Sequence, residues 1–202
     1  RILENNGTTT WTGGTVRTTG VFQNNGQFTA NGDVADLLWT GIQFGSPNGV
    51  FINTGTFTKQ GTGNVTFQQC GDCSGSLFNN NGDVEVQGGT LRSYYGGTSN
   101  GTFNAGPGTR IELSGPQPQG IADGASINGG GVFAIVGGAT NFTGMTAGTG
   151  NIEISGGTAN FDGTASISGG LTFLSGVLGG SAPGMLTVNG ASTWLGGTMT
   201  GS

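Results

Sequence analysis

Histidine is absent from this sequence, cysteine occurs twice, and charged side chains make up only 7% of its 202 residues. With two cysteines and no histidine, the chain cannot supply the four ligands of a structural zinc site. Low charge also argues against disorder, because disordered chains of low hydrophobicity usually carry high net charge or many prolines, and here the net charge is −5 with five prolines. No apolar run approaches the roughly 18 residues that cross a bilayer, which predicts no membrane span.

Basic residues are few and scattered. Binding to a nucleic acid backbone needs a patch of lysines and arginines that neutralises phosphates. The five basic residues are spread along the chain at Arg1, Arg17, Lys59, Arg92 and Arg110. Together with the acidic net charge, this distribution predicts that nucleic acid is not a partner.

An Asn- and Gly-rich segment recurs along the first half of the chain. Its copies cover residues 21–28, 50–57 and 77–86, and each reads as a short apolar strand, a corner closed by glycine and a second short strand. Asparagine and glycine tolerate the left-handed backbone that a sharp corner demands. The 46 glycines do not follow the strict three-residue period of collagen. They indicate a repetitive β architecture.

The period of the repeats differs between the two halves. Similar segments begin at Trp11 and Trp39, whereas the apolar strand at 133–135 already recurs at 152–154. The shorter period suits a coil of three short strands joined by corners. We therefore predict an all-β chain, folded as a parallel β-solenoid in the form of a right-handed β-helix, with about 19–29 residues per rung.

The predicted solenoid is a single domain over residues 1–202, with eight to ten rungs. Residues 1–120 form wider rungs with inserted loops, and residues 121–202 form compact rungs, each of about 19–20 residues. Its core consists of stacked Phe, Ile, Leu and Val side chains. The three tryptophans are expected at equivalent corners or faces, at Trp11, Trp39 and Trp194.

Stacking of rungs about 4.8 Å apart explains the scarcity of charge. Like charges opposite one another destabilise paired strands, whereas asparagine ladders and stacked aromatic rings stabilise them. The carboxylates that do occur beside apolar residues, such as Asp83, Glu85 and Glu112, fall on the outward phase of their strands. We expect them to be solvated surface groups.

The two ends of the sequence resemble each other. Residues 10–16 read Thr-Trp-Thr-Gly-Gly-Thr-Val, and residues 193–199 read Thr-Trp-Leu-Gly-Gly-Thr-Met. Neither end offers the amphipathic helix or charged strand that would cap a solenoid and protect its open edge. The residues predicted to form assembly ends are Arg1, Ile2, Leu3, Trp11, Trp194 and Met199.

Residues 53–59, 78–91 and 193–199 resemble the Gly/Thr/Asn-rich repeats of large bacterial surface and secreted proteins. These include β-helical adhesins and autotransporter-passenger-like stalks. The resemblance implies a structural protein located outside the cell or at its surface. It implies no catalytic residues, because that repeat pattern has none.

Cys70 and Cys73 have the spacing of a redox motif. Their neighbours are glutamine, glycine and serine residues typical of a loop, whereas a redox cysteine needs a helix N-terminus. We predict a local disulfide that closes an inserted loop, with free thiols as the alternative. A disulfide favours an oxidising, extracellular setting.

The acidic residues suggest no catalytic site. Acid–base catalysis needs a carboxylate with a raised pKa or a basic partner in a cleft, and Asp33 and Asp36 have no His or Lys near them in sequence. We predict that the chain is not an enzyme and has no catalytic, cofactor-binding or metal-binding residues. Residues 31–33 and 81–83 resemble fragments of calcium loops, so bound calcium stays an alternative to plain Asn-Gly corners.

Four Asn-x-Ser/Thr sequons mark candidate glycosylation sites at Asn6, Asn64, Asn100 and Asn141. Several are expected by chance in a chain this rich in asparagine and threonine. Thr-x-Thr pairs such as Thr8 with Thr10 and Thr56 with Thr58 could form a regular hydroxyl array that binds ice. β-branched residues on ordinary strands explain the same pairs.

The function predicted from these observations is structural. The chain would be a subunit or repeat segment of an extracellular filament or surface fibre, with other copies of itself as partners through head-to-tail stacking of open solenoid ends. The alternative is a stalk or binding section of a larger bacterial adhesin, in which a carbohydrate or protein partner docks on the wider N-terminal rungs. Ice binding is a further alternative.

Overall fold

The chain folds as an all-β parallel solenoid without helices in its described part, with about 21 residues per rung. This architecture confirms the predicted fold class. The computed structural model describes residues 1–16, 20–31, 36–40, 49–68, 75–144 and 148–201, and for residues 36–40 it describes the backbone.

Each rung contributes strands to successive faces of the solenoid, and the strand pairs are parallel. Sheet 1 has ten strands: β1 (Ile2–Asn5), β3 (Val21–Asn24), β6 (Gly49–Asn53), β9 (Ser76–Asn80), β12 (Gly97–Ser99), β15 (Gln119–Ile121), β18 (Ala139–Phe142), β20 (Thr158–Phe161), β23 (Val177–Gly179) and β26 (Thr198–Met199).

Sheet 2 has six strands: β2 (Thr8–Trp11), β4 (Gln27–Asn31), β7 (Thr56–Gln60), β10 (Asp83–Val86), β13 (Thr102–Ala105) and β16 (Ser126–Asn128). Sheet 3 has eight strands: β5 (Asp36–Thr40), β8 (Asn64–Gln68), β11 (Thr90–Ser93), β14 (Arg110–Leu113), β17 (Val132–Ile135), β19 (Asn151–Ile154), β22 (Leu171–Phe173) and β25 (Ser192–Trp194). Sheet 4 pairs β21 (Thr164–Ile167) with β24 (Met185–Val188) and occupies the place of sheet 2 in the last rungs.

The pairing register shows where the long rungs lie. Asn24 lies opposite Asn53, and Asn53 lies opposite Asn80, so two successive rungs advance the numbering by 29 and by 27. The advance is only 19 from Asn5 to Asn24, and it is 19 again from Asn141 to Asn160. The two long rungs contain residues 32–35, 41–48 and 69–74, which lie outside the described part of the chain.

The predicted equivalence of the three tryptophans is wrong. Trp11 belongs to β2 and lies opposite Ala30 in sheet 2, whereas Trp39 and Trp194 belong to strands of sheet 3. The similar segments around Trp11 and Trp39 therefore occupy different faces of the solenoid. The same holds for the similar segments near the two ends of the sequence.

Aromatic rings stack along the inward face in the first rungs of the core. Phe22 stacks on Phe51 with ring centroids 5.1 Å apart, and Phe28 stacks on Phe57 at 5.5 Å. Rings from the two columns meet edge to face, as Phe51 and Phe57 do at 5.6 Å. Offset-stacked and edge-to-face contacts are the favourable geometries for aromatic pairs.

A ladder of four asparagines runs along the corner between sheets 1 and 2. The side-chain amide of Asn5 donates to Asn24, Asn24 donates to Asn53, and Asn53 donates to Asn80, at 2.7, 2.8 and 2.8 Å. Each amide also donates to a backbone carbonyl, such as that of Asp83 for Asn53 at 2.9 Å. The four side chains are buried, so these hydrogen bonds satisfy polar groups that water does not reach.

Corner glycines stack because the corners leave no room for a side chain. A Cβ atom on Gly55 would lie 2.1 Å from the carbonyl oxygen of Gly26, and one on Gly26 would lie 2.1 Å from that of Gly7. A Cβ atom on Gly7, in the first rung, would meet no atom within 4 Å. The requirement for glycine therefore comes from the rung on the N-terminal side.

Replacing an inner rung of the asparagine ladder should strongly destabilise the fold. We expect Asn53→Ala to lower the free energy of unfolding by about 2–4 kcal/mol, because it removes three buried hydrogen bonds, one each with Asn24, Asn80 and the backbone carbonyl of Asp83. Asn25→Ala removes hydrogen bonds at the exposed side of the same corner and should cost less than about 1 kcal/mol. Equal shifts of the urea midpoint for both variants would contradict a special role of the buried ladder.

Gly55→Ala and Gly7→Ala make the same chemical change at equivalent corners. The first places a methyl group against a backbone carbonyl and should cost more than about 2 kcal/mol, while the second should stay within about 0.5 kcal/mol. Thermal and urea unfolding of the two purified variants measure the difference. A stable Gly55→Ala variant would show that the corners can widen.

Candidate functional site

The most distinctive surfaces of the solenoid are its two ends, where the sheets stop. At one end β1, β2 and β5 are the terminal strands of sheets 1, 2 and 3, and at the other end β26, β24 and β25 are terminal. Terminal strands of a parallel sheet present backbone N–H and C=O groups that can pair with a further strand.

Large apolar side chains are exposed chiefly at these ends. Eight large apolar side chains are exposed among the described residues, and six of them belong to terminal strands or directly follow one. The six are Ile2, Leu3, Met185, Trp194, Leu195 and Met199. The remaining two are Tyr94 and Leu174.

The C-terminal end opens into a cavity of about 680 Å³. Its walls include Leu178, Val188, Trp194 and Met199, whose positions in their strands continue inward-facing rows of the core. Trp194, for example, lies opposite Phe173 with ring centroids 5.2 Å apart. The described residues that line the cavity include no charged side chain. The cavity is therefore the open end of the apolar core.

The N-terminal end presents the beginnings of the same rows. Leu3 lies opposite Phe22, and its side chain is 63% exposed because β1 is the first strand of sheet 1. Trp11 and Val16 are partly buried against the core from the same end. Apolar groups that would be covered by a further rung are thus exposed at both ends.

The six residues predicted as assembly ends lie at both ends of the solenoid. Arg1, Ile2, Leu3 and Trp11 lie in or beside the first rung, and Trp194 and Met199 lie in the last strands.

Four further residues of the C-terminal end were not among those predicted. Met185 and Leu195 are exposed apolar residues, and Leu178 and Val188 form part of the cavity wall. Leu186 and Val188 stand at alternate positions of β24, a signal that could have placed Val188 on the inward face, whereas β23, with the sequence Val-Leu-Gly, gives no such signal for Leu178.

A chain of ion pairs crosses the outer face of sheet 3. Arg92 and Arg110 both donate to the carboxylate of Glu112, at 2.6 and 2.7 Å. Arg110 also donates to Glu153 at 2.6 and 3.1 Å, passing Ala134, which separates the two carboxylates in the pairing register. The expectation that Glu112 is merely solvated is therefore wrong.

The arginine shifts the titration of its partner. The hydrogen bonds from Arg110 hold the pKa of the Glu153 carboxyl below its usual value, although partial burial opposes the shift. The same hydrogen bonds raise the pKa of the Arg110 guanidinium. These groups form a structural ion-pair network, because each charged side chain already has an opposite charge within hydrogen-bond distance.

Lys59 occupies an inward position of β7, where apolar residues are expected. Its side chain is fully buried, and its ammonium group donates to the backbone carbonyls of Gln60, Gly61 and Gly88 at 2.6, 2.8 and 3.1 Å. A buried charge needs such partners. The position of lysine between Phe57 and a Gly-rich corner is a sequence signal for this arrangement.

The candidate glycosylation sites lie apart from one another. Asn6 and Asn100 are exposed at corners, whereas Asn64 begins β8 and Asn141 lies in β18, both half-buried. Asn141 also accepts a hydrogen bond from Asn160 at 2.8 Å. Glycosylation stays a prediction for all four.

Threonine rows on the outer face of sheet 2 are short. Thr8 and Thr56 share one row with Gln27 between them, and Thr10, Thr29 and Thr58 share the next. In the next strand, β10, the equivalent positions of the two rows hold the acidic residues Asp83 and Glu85. A third Thr-x-Thr pair, Thr198 with Thr200, begins in sheet 1 and so lies on a different face. Ice binding stays a prediction.

Other predicted features fall outside the described residues. These are Cys70, Cys73 and Asp33, together with the side chain of Asp36. Within the described residues, no three His, Cys, Asp or Glu side chains are grouped closely enough to hold a metal ion. A search of the same residues for a helix able to cross a membrane finds none.

Comparison of the chain with protein-family models, with curated proteins and with solved structures gives no match. A function for the chain therefore has to be inferred from its own surfaces, of which the two ends are the most distinctive.

The Arg110–Glu153 pair should stabilise the solenoid in a pH-dependent way. Because the pKa of Glu153 is lowered in the folded state, its contribution is present above the ordinary Glu pKa of about 4.3 and is lost as the pH falls through the lowered value. At neutral pH we expect Glu153→Gln to cost about 0.5–1 kcal/mol. Unfolding curves at pH 7 and pH 3 test this, with Glu4→Gln at the exposed first strand as the control. A cost that is unchanged at pH 3 would contradict the assignment.

Proposed function

We propose that the chain is a structural unit of an extracellular fibre, whose units stack head to tail through the open ends of the solenoid. The observation that carries this proposal is the concentration of exposed apolar side chains at the two ends. Contacts between two different surfaces of one molecule that do not close on themselves generate filaments.

The strand direction favours stacking of unlike ends. All strands in a sheet run parallel, so a second copy in the same orientation continues each sheet with parallel pairs. Two copies joined by like ends would meet in antiparallel orientation at every sheet and would lose the in-register rows of the core. Head-to-tail stacking instead places Leu3 of one copy towards the apolar cavity of the next.

The extracellular setting is supported by the resemblance to the repeats of bacterial surface and secreted proteins, and by the predicted disulfide between Cys70 and Cys73. The sparse charge fits a fibre, because a long stack of identical rungs would accumulate like-charge repulsion. The proposal gives the chain a mechanical role without a catalytic group.

Electron microscopy of natively purified protein should show long unbranched rods. We expect Leu3→Glu to abolish the rods, because it places a carboxylate in the apolar joint. The stability of a single unit should change by no more than about 0.5 kcal/mol, because Leu3 is already exposed. Tyr94→Glu is the matched control, since Tyr94 is exposed at 42% on the side of the solenoid and its replacement should leave the rods intact.

Isolated short rods of the wild-type protein at high concentration would overturn the proposal. That result would favour the adhesin alternative, in which further rungs of the same polypeptide cover the ends. Rods that persist in Leu3→Glu but disappear in Tyr94→Glu would show that units associate side by side.

A further inference from the structure

Asparagine is followed directly by glycine at several corners of the solenoid. Three such pairs lie inside the stack at the corner between sheets 1 and 2, and they are Asn25-Gly26, Asn81-Gly82 and Asn100-Gly101. An Asn-Gly pair can rearrange without a catalyst, because glycine has no side chain to hinder attack by its backbone nitrogen on the asparagine side chain. Whether it does so depends on how firmly the corner holds these two groups.

We infer that Asn81 is a site of spontaneous deamidation in the folded protein, whereas the equivalent Asn25 and Asn100 are protected. In this reaction the backbone nitrogen of Gly82 attacks Cγ of Asn81, and a cyclic imide forms. The bond from Cγ to the side-chain amine breaks, and the proton of the Gly82 nitrogen passes through solvent to the amine, which leaves as ammonia. Water then opens the imide to give aspartate or isoaspartate. The inference does not depend on the proposed fibre.

Hydrogen bonding of the corner glycine controls how available its nitrogen is. The N–H groups of Gly26 and Gly101 donate to backbone carbonyls of the preceding rung, each at 3.0 Å. Gly82 differs, because its N–H donates to the side-chain Oδ1 of Asn80 at 3.3 Å. That oxygen also accepts the side-chain amide of Asn53 at 2.8 Å, so two donors share it. A long bond to a shared acceptor holds the N–H less firmly than a bond to a backbone carbonyl.

The asparagine side chain must also be able to turn towards that nitrogen. Asn25 cannot turn without breaking hydrogen bonds, because its amide donates to Asn6 at 2.8 Å and its oxygen accepts from Thr54 at 2.7 Å. Asn81 and Asn100 are exposed, and neither side chain makes a hydrogen bond to another described residue. Asn81 therefore combines a mobile side chain with a weakly held nucleophile, whereas Asn100 has only the first.

Deamidation of Asn81 would change both the charge and the length of this corner. The new carboxylate would stand two residues before Asp83, which is exposed and carries the same charge. Isoaspartate would also lengthen the main chain by one atom between β9 and β10. Both strands pair in register with strands on either side, and the extra atom would disturb this pairing.

Peptide mapping of the folded protein after prolonged incubation at neutral pH measures conversion at each site. The protein should come from a host that does not glycosylate, since Asn100 lies in a sequon. Tryptic cleavage separates Asn81 from Asn100, because Arg92 lies between them, and mass spectrometry detects the change of an amide to an acid. We expect Asn81 to convert at least about fivefold faster than Asn100, the factor in rate that corresponds to one backbone hydrogen bond.

The unfolded chain is the control for local sequence. In urea the corner hydrogen bonds are lost, so Asn81 and Asn100 should convert at similar rates. The ratio of the folded to the unfolded rate then gives the protection at each site. Asn81→Ser is the matched variant, because it should remove the mass change from its peptide and leave that of Asn100 unaltered.

Equal rates for Asn81 and Asn100 in the folded protein would overturn the inference. A mass change that persists in the Asn81→Ser variant would also overturn it, because the conversion would then belong to another residue of the peptide. The same holds if Asn81 is preferred equally in the folded and the urea-unfolded protein, since the preference would then come from the sequence alone. None of these results bears on whether the protein forms rods.

Discussion

The spacing of about 4.8 Å between parallel, in-register strands is the constraint on which the whole structure depends. It places each side chain directly above its counterpart in the next rung, so a residue type is acceptable only if it tolerates its own kind as a neighbour. Phenyl rings, side-chain amides and glycines meet this condition in different ways. Phe22 stacks on Phe51, Asn24 donates to Asn53, and Gly55 leaves room for the carbonyl of Gly26.

The same constraint governs where charge is admitted. The less exposed charges of the sheets have an opposite charge or backbone carbonyls within reach. Glu112 lies between two arginines, Arg110 extends past Ala134 to a second carboxylate, and buried Lys59 donates to three carbonyl oxygens. A charged residue without such a partner would repel any like charge at the equivalent position of the next rung. The low charge content of the sequence is thus a property of the stack.

Alternation and corner composition were sufficient to predict the parallel solenoid, because apolar residues at every second position and Asn-Gly corners recur along the chain. They did not suffice to assign segments to faces. Trp11 and Trp39 lie in similar segments, but the number of residues in each corner decides which sheet a strand joins, and repetitive sequence aligns at several offsets. Alternation also cannot distinguish a buried inward residue from Trp194, which faces inward on the last rung and is 55% exposed. Of the two arginines paired with Glu112, Arg92 comes from the neighbouring rung and has no local signal, whereas Arg110 lies two residues away in the same strand.

In-register stacking restricts what can stack on the ends of the solenoid more strongly than it restricts single residues in the middle. Within the solenoid, a row accepts an occasional change, as where Ser99 follows Asn80 at the end of the asparagine ladder. A joint between molecules must satisfy strand direction, the order of the sheets and the inward rows at the same time. A partner with unrelated rows would place polar groups in the apolar cavity or side chains against the corner at Gly7. In the proposed head-to-tail assembly, a second copy would continue each sheet in parallel, and its Leu3 begins the same inward row that Met199 ends.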